Sequence, residues 1–228
     1  MRARLIARWI LPLGLVAAVA LGTLWWQRRT HPEDQFAQAL VAFAAKDYER
    51  VSELRKDLED RSAFQQHARL LTGAVLLRQK KYDLAHAELT TVTPRGALRN
   101  PALEWMGECL YRMGRIAEAE PLMRQLATEN PDHANAHRWL GAIYFDLGAN
   151  DLATAEFEIV ARIAPQDYRP HWMIGLMYFD FERFPQAIEH YRTALKLCPQ
   201  VPVRGVIVRG LARSLIAERE FQAALDVL

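Results

Sequence analysis

Apolar residues are spaced along most of this chain for helices that each bury one side. Over residues 135–147, and again over 151–163, they recur in steps of three and four, the period of a helix with one buried stripe. Gly148 stands between the two stretches, which predicts a helical hairpin. The arrangement then repeats. Gly73, Gly107, Gly141 and Gly175 fall 34 residues apart, as do Ala85, Ala119, Ala153 and Ala187, and Pro131, Pro165 and Pro199. A period of that size marks stacked supersecondary units, none of which can bury its apolar face alone. The expected fold class is all-α, a helical-hairpin solenoid.

The pattern is different at the start. No charged residue occurs from Trp9 to Trp26. As a helix that run would span roughly 27 Å, close to the hydrocarbon thickness of a bilayer. Arg2, Arg4 and Arg8 precede it, Arg28 and Arg29 follow it, and Trp9, Trp25 and Trp26 stand at its edges. Two readings stay open. One is an uncleaved transmembrane anchor; the other is a signal peptide cut after Ala18-Val19-Ala20. The anchor is favoured, because the apolar run continues through Leu21, Leu24, Trp25 and Trp26 beyond that cut. Arginine lies in excess before the span, so the positive-inside rule places the N-terminus in the cytoplasm and the body outside it. Residues 1–31 are thus expected to form a cytoplasmic stub, one transmembrane helix and a short linker, and 32–228 the repeat array.

Within the array the small residues have a packing purpose. Gly141 and Ala153 stand where the two helices of a pair approach, Tyr144 and Phe157 fill the space beside them, and Pro165 closes the second helix. Together with Leu140, this order resembles the tetratricopeptide repeat, whose pattern runs W-x₂-L-G-x₂-Y, then Ala, Phe and Pro. His137 replaces the tryptophan. Residues 168–201 match through Ile174-Gly175, Tyr178, Ala187, Tyr191, Ala194 and Pro199, with Glu182 in place of the turn glycine and Pro185 opening the second helix. Residues 100–133 match through Met106-Gly107, Gly114, Ala119, Met123, Leu126 and Pro131, with Asn100-Pro101 read as a cap and first helical residue. The units at about 66–99 and 33–65 match more weakly, the former closing irregularly at Pro94 and Gly96. After Pro199 the register slips. Phe184-Pro-Gln-Ala187 returns as Phe221-Gln-Ala-Ala224, and the insertion is placed in a Pro199–Gly205 loop, with a partial sixth unit over 205–228. Leu228 then corresponds to Tyr191 in mid-helix, so either a longer protein or a short frayed cap is expected.

The resemblance implies a right-handed superhelix whose first helices line a concave face that receives a peptide or a partner helix. The 34-residue spacing sets ladders on those helices: Tyr111, Phe145 and Phe179, and Trp105, Trp139 and Met173 with Trp172 beside them. Arg138, Arg169, Glu104, Asp146 and Asp180 lie among them. Aromatic residues and arginine are the types that most often anchor interfaces. The candidate partner-binding groove is therefore Trp105, Tyr111, Arg138, Trp139, Phe145, Arg169, Trp172 and Phe179, unless these rings pack between repeats. One subgroup of the family clamps C-terminal carboxylates; the matching places here hold Leu70, Ala74, Trp105, Arg169 and Met173, of which one is basic, so that activity is not carried over.

Composition narrows the classes further. The formal net charge is +2, with a hydrophobic fraction of 51% and a charged fraction of 25%, which fits an ordered protein. Residues 1–32 carry five arginines and no acid, so the body is mildly acidic and does not suit nucleic acid. Two cysteines, Cys109 and Cys198, are read as buried apolar residues. No nucleotide-binding or hydrolase motif occurs. His133 and His137 share helical i, i+4 spacing but lack further ligands, so no metal, cofactor or catalytic residue is expected. The leading expectation is a non-enzymatic adaptor, anchored in a membrane such as a bacterial inner membrane, that recruits or assembles envelope proteins. Its partners would be a protein or peptide on the concave face and the lipid bilayer through residues 9–26. The alternative is the sensing or docking arm of a larger enzyme.

Overall fold

The computed structural model describes residues 31–198 and 201–228. The apolar run at 9–26 and the helix-ending role of Pro199 lie outside the described residues, and no described helix is long and apolar enough to cross a membrane. Twelve α-helices pair into six hairpins among the described residues. They are α1 Pro32–Ala44, α2 Tyr48–Glu59, α3 Gln65–Arg78, α4 Tyr82–Thr90, α5 Arg99–Arg112, α6 Ile116–Glu129, α7 Ala134–Asp146, α8 Asn150–Ile163, α9 Tyr168–Asp180, α10 Phe184–Leu197, α11 Val201–Ala217 and α12 Phe221–Val227. The chain divides into two compact units, one ending at Ala102 and the other beginning at Leu103.

Each hairpin is closed by one residue in the left-handed region. These are Lys46, Lys80, Gly114, Gly148, Glu182 and Arg219, with φ between 58° and 76°. Gly148 shows why the position exists. Its N–H donates to Phe145 O at 3.0 Å and the Ala149 N–H donates to Tyr144 O at 2.8 Å, so two carbonyls at the end of α7 find donors. Glu182 makes the same pair of bonds through its own N–H and that of Arg183, to Phe179 and Tyr178. The missing turn glycine at 182 is therefore not bypassed; a side chain tolerates the strained backbone there.

Small residues set the distance between the helices of a pair. A Cβ added to Gly141 would lie 2.9 Å from two ring carbons of Phe157, and one added to Gly175 would lie 3.0 Å from the Tyr191 ring. Gly73 faces Leu89 and Gly107 faces Met123 in the same way. Phe157, Tyr191, Leu89 and Met123 are each at most 2% exposed. Burying a side chain of that size contributes about 1.5–3 kcal/mol, which the close approach makes possible.

In the first unit, α1 packs on α2, α2 on α3 and α3 on α4. A 3₁₀ turn at Gly96–Leu98 follows α4 and runs into α5, so the irregular close at Pro94 and Gly96 is a helical turn. As a result α5 starts at Arg99, and Asn100 lies inside the helix instead of capping it. In the second unit, α6 packs on α7, α7 on α8, α8 on α9, α9 on α10, α10 on α11 and α11 on α12.

The insertion after Pro199 is not a loop. α11 begins at Val201 and has 17 residues, against 13 in α9. Gly205 is helical, and the added residues form an extra turn at the helix start. Pro202 is the second residue of α11, where a missing N–H leaves no intrahelical bond unmade. The spacing of closing residues accordingly widens from 34 to 37 between Glu182 and Arg219.

Candidate functional site

The candidate residues all belong to the second unit, on its first helices α5, α7 and α9. On each, two positions seven residues apart share one side: Glu104 and Tyr111, Arg138 and Phe145, Trp172 and Phe179. Tyr111, Arg138, Phe145, Trp172 and Phe179 are half-buried, as is Trp139. Trp105 is not available to a ligand. It is 5% exposed and lies in the packed interior. Arg169 is exposed and bound to Asp167, with its Nε 2.8 Å and 3.0 Å from the two carboxylate oxygens and its Nη2 2.7 Å from Oδ2.

The rings are positioned by their neighbours. Tyr111 and Trp139 have centroids 5.3 Å apart, tilted at 51°. The Tyr111 hydroxyl donates to Asp146 Oδ2 at 2.7 Å, and burial together with that carboxylate pushes its pKa up to about 12. The Arg112 guanidinium lies 5.2 Å from the Trp139 ring centre, and that of Arg213 lies 4.6 Å from Phe179. Phe179 also tilts against Phe184 at 5.5 Å. Phe145 packs against the cluster of Ala153, Phe157, Ile174 and Met177; Trp172 and Phe179 pack against the one containing Ile188, Ile207 and Leu211. These rings therefore hold one side in the core and leave the other uncovered, which a flat aromatic side chain does at small entropic cost.

Beside the rings lies a polar patch that sequence reasoning registered only in part. Glu104 accepts a hydrogen bond from Asn135 Nδ2 at 2.7 Å and has His133 Nε2 at 3.5 Å. Burial raises the Glu104 carboxyl above the ordinary range, and the nearby His133, Asn135 and Arg138 pull the other way. Burial lowers Arg138 from its usual value, and Arg169 adds to the effect. The Arg138 Nε is buried with no hydrogen-bond partner. Asp167 sits below the carboxylate range: burial acts to raise it, and the hydrogen bonds and charge of Arg169 outweigh that. Neither Asn135 nor Asp167 stood out in the sequence, since each is a short polar residue at a helix start.

The histidines divide among separate partners. His133 Nδ1 accepts from the Ala136 N–H at 3.3 Å, which caps α7 and leaves the proton on Nε2, toward Glu104. His137, 7% exposed, places Nδ1 2.6 Å from Glu156 and Nε2 3.0 Å from the Pro131 carbonyl. Both serve α7 structurally. Among the described residues, no group of three or more His, Cys, Asp and Glu side chains could hold a metal ion.

Comparison with known proteins agrees with this geometry. Residues 106–168 and 168–201 match two family profiles, each described as tetratricopeptide repeat. No curated protein matches the chain. Solved structures share the fold. One titled "MamA 41-end from Desulfovibrio magneticus RS-1" is 21% identical, with a TM-score of 0.62, and the match covers 71% of this chain and 90% of that one. "MamA MSR-1" is 22% identical, with a TM-score of 0.60, covering 72% of this chain and 92% of that one.

Proposed function

Given that residues 106–201 belong to the tetratricopeptide repeat family, we propose that the chain is a membrane-anchored adaptor whose second unit binds a protein or peptide across its first helices. One observation carries the reading: Tyr111, Trp139, Phe145, Trp172 and Phe179 are half-buried rings held in place from behind. Arg112 and Arg213 border them as cations. The combination suits a partner segment with apolar or aromatic side chains and at least one acid, since Arg112 and Arg213 stand beside the rings. Scaffolding of protein contacts is the function class that the repeats support, and no step of catalysis is assigned.

Anchoring rests on the charge-free run from Trp9 to Trp26 and its flanking arginines. α1 begins at Pro32, a few residues beyond the run, so the array would be held at the bilayer surface, where recruitment gains from effective concentration. The array is read as extracytoplasmic, in an assembly or recruitment step of envelope proteins. A reporter active only in the cytoplasm, fused after Asp47, is expected to be silent; activity would reverse the orientation. For the groove, the test is partner capture by the full-length chain against a Trp139→Ala/Phe145→Ala variant of matched helicity. A loss of about 2 kcal/mol, some thirtyfold in affinity, is expected for an anchor of this kind. Equal recovery would remove the groove from the proposal.

A further inference from the structure

His171 on α9 and His190 on α10 meet across their hairpin, with the two Nδ1 atoms 3.2 Å apart. The repeat register sets this pair apart. One repeat earlier the same two positions hold His137 and Glu156, whose Nδ1 and Oε2 lie 2.6 Å apart. One repeat before that they hold Leu103 and Leu122, which pack in one apolar cluster. The chain thus fills this cross-hairpin contact with an apolar pair, with a hydrogen-bonded pair of opposite character, and with two like imidazoles. The imidazoles gain less from meeting: each loses hydration, and the two share one proton. What they have that the other pairs lack is two convergent nitrogen lone pairs.

We infer that His171 and His190 form a binding site for a divalent transition-metal ion of the zinc class, each ligating through Nδ1. An imidazole nitrogen binds zinc at about 2.0–2.1 Å, so nitrogens 3.2 Å apart subtend about 100° at the ion, close to the tetrahedral angle. The ring centroids are 5.4 Å apart and tilted at 34°, so the rings spread away from the two nitrogens, as they do around a shared ion. Tyr178 lies against His190, with centroids 5.5 Å apart, and restrains that ring.

Without metal, one Nδ1 carries the shared proton. On binding, that ring takes up its other neutral tautomer, with the proton on Nε2, so both Nδ1 lone pairs face the ion and no net proton is released. Burial lowers both pKa values, and His171 lowers His190 further, which favours the neutral rings that ligate. Asp167 near His171 and Glu189 near His190 oppose that lowering, and their negative charge favours a cation at the pair. Among the described residues no third His, Cys, Asp or Glu completes the shell. Both rings are half-buried, so the other positions fall to water, as in a zinc site with open coordination. The ion joins α9 to α10 and needs the folded hairpin, so it stabilises the fold as its concentration rises.

The experiment uses the full-length chain in mild detergent, stripped of metal by a chelator, with zinc chloride as the probe at about pH 7.5. Calorimetric titration is expected to give one ion per chain at this pair. His171→Gln and His190→Gln keep a polar side chain at the contact and remove a ligand; each is expected to lose at least tenfold in affinity. His86→Gln, on α4, is expected to bind as the wild type does. Nitrogen-15 spectra of the histidine rings give a readout on the wild type alone, so they decide even where a variant loses stability. Zinc is expected to move the Nδ1 signals of His171 and His190 together and to leave both rings protonated on Nε2. Zinc binding that is equal in the wild type and both glutamine variants overturns the inference. So do spectra in which zinc moves other histidines and leaves these two unchanged, or the absence of binding up to about millimolar zinc.

Discussion

At the scale of residues, two kinds of side chain are tuned to their neighbours. The glycine at the helix crossing is one. Gly141→Ala would press a methyl group to about 2.9 Å from the Phe157 ring, a rigid side chain that is 2% exposed. A loss of about 1–3 kcal/mol in urea denaturation is expected. Gly107→Ala meets the flexible end of Met123 instead, and a cost below about 1 kcal/mol is expected, since an unbranched thioether can swing aside. The second kind is the pair His171 and His190, whose Nδ1 atoms lie 3.2 Å apart. One must donate and the other accept, so the contact holds a single proton. Burial lowers both pKa values from 6.5; His171 lowers His190 further, and Asp167 and Glu189 only partly oppose this. With the folded-state values depressed, the folded chain binds fewer protons than the unfolded one. The stability is complete above the ordinary histidine value and is lost as pH falls through the lowered ones. Urea midpoints at about pH 7 should therefore exceed those at about pH 5, and a His171→Gln/His190→Gln double variant should flatten that difference.

At the scale of elements, the hairpin turn decides more than its sequence reveals. Lys80 holds φ 60° where Gly148 holds 72°. A side chain there costs about 1 kcal/mol, so Lys80→Gly should raise stability by up to about that amount and Gly148→Ala should lower it similarly, as read from thermal melts. The helices at 135–147 and 151–163 were legible to within a residue or so, because their apolar period and the glycine between them agree. The turns at Lys46, Lys80, Glu182 and Arg219 were not, because the left-handed conformation follows from the two capping bonds and any residue can be forced into it. The insertion near residue 200 was located correctly and given the wrong form. Pro202 and Gly205 look like helix breakers, yet in the first turns of α11 neither interrupts a hydrogen-bond ladder.

At the scale of the whole molecule, the periodic pattern made the all-helical hairpin architecture readable, whereas exposure was not. Trp105 and Trp139 occupy one register, and the first is core while the second stays half open. Identical register fixes direction from the helix axis; it does not fix what lies beyond, which depends on side chains from other hairpins such as Tyr111 and Arg112 beside Trp139. The binding experiment belongs to this scale, since it asks what covers rings that the chain leaves half open. The order of packing also bears on how the chain reaches its fold. In each unit the packed helices are neighbours in the chain, with α9 and α11 the next neighbours among them. Every such contact closes a loop of a few dozen residues at most, so little chain entropy is lost before packing repays it. Low contact order of this kind predicts folding in microseconds to milliseconds, hairpin by hairpin, and lets each pair of helices settle while the rest of the polypeptide is still being synthesised.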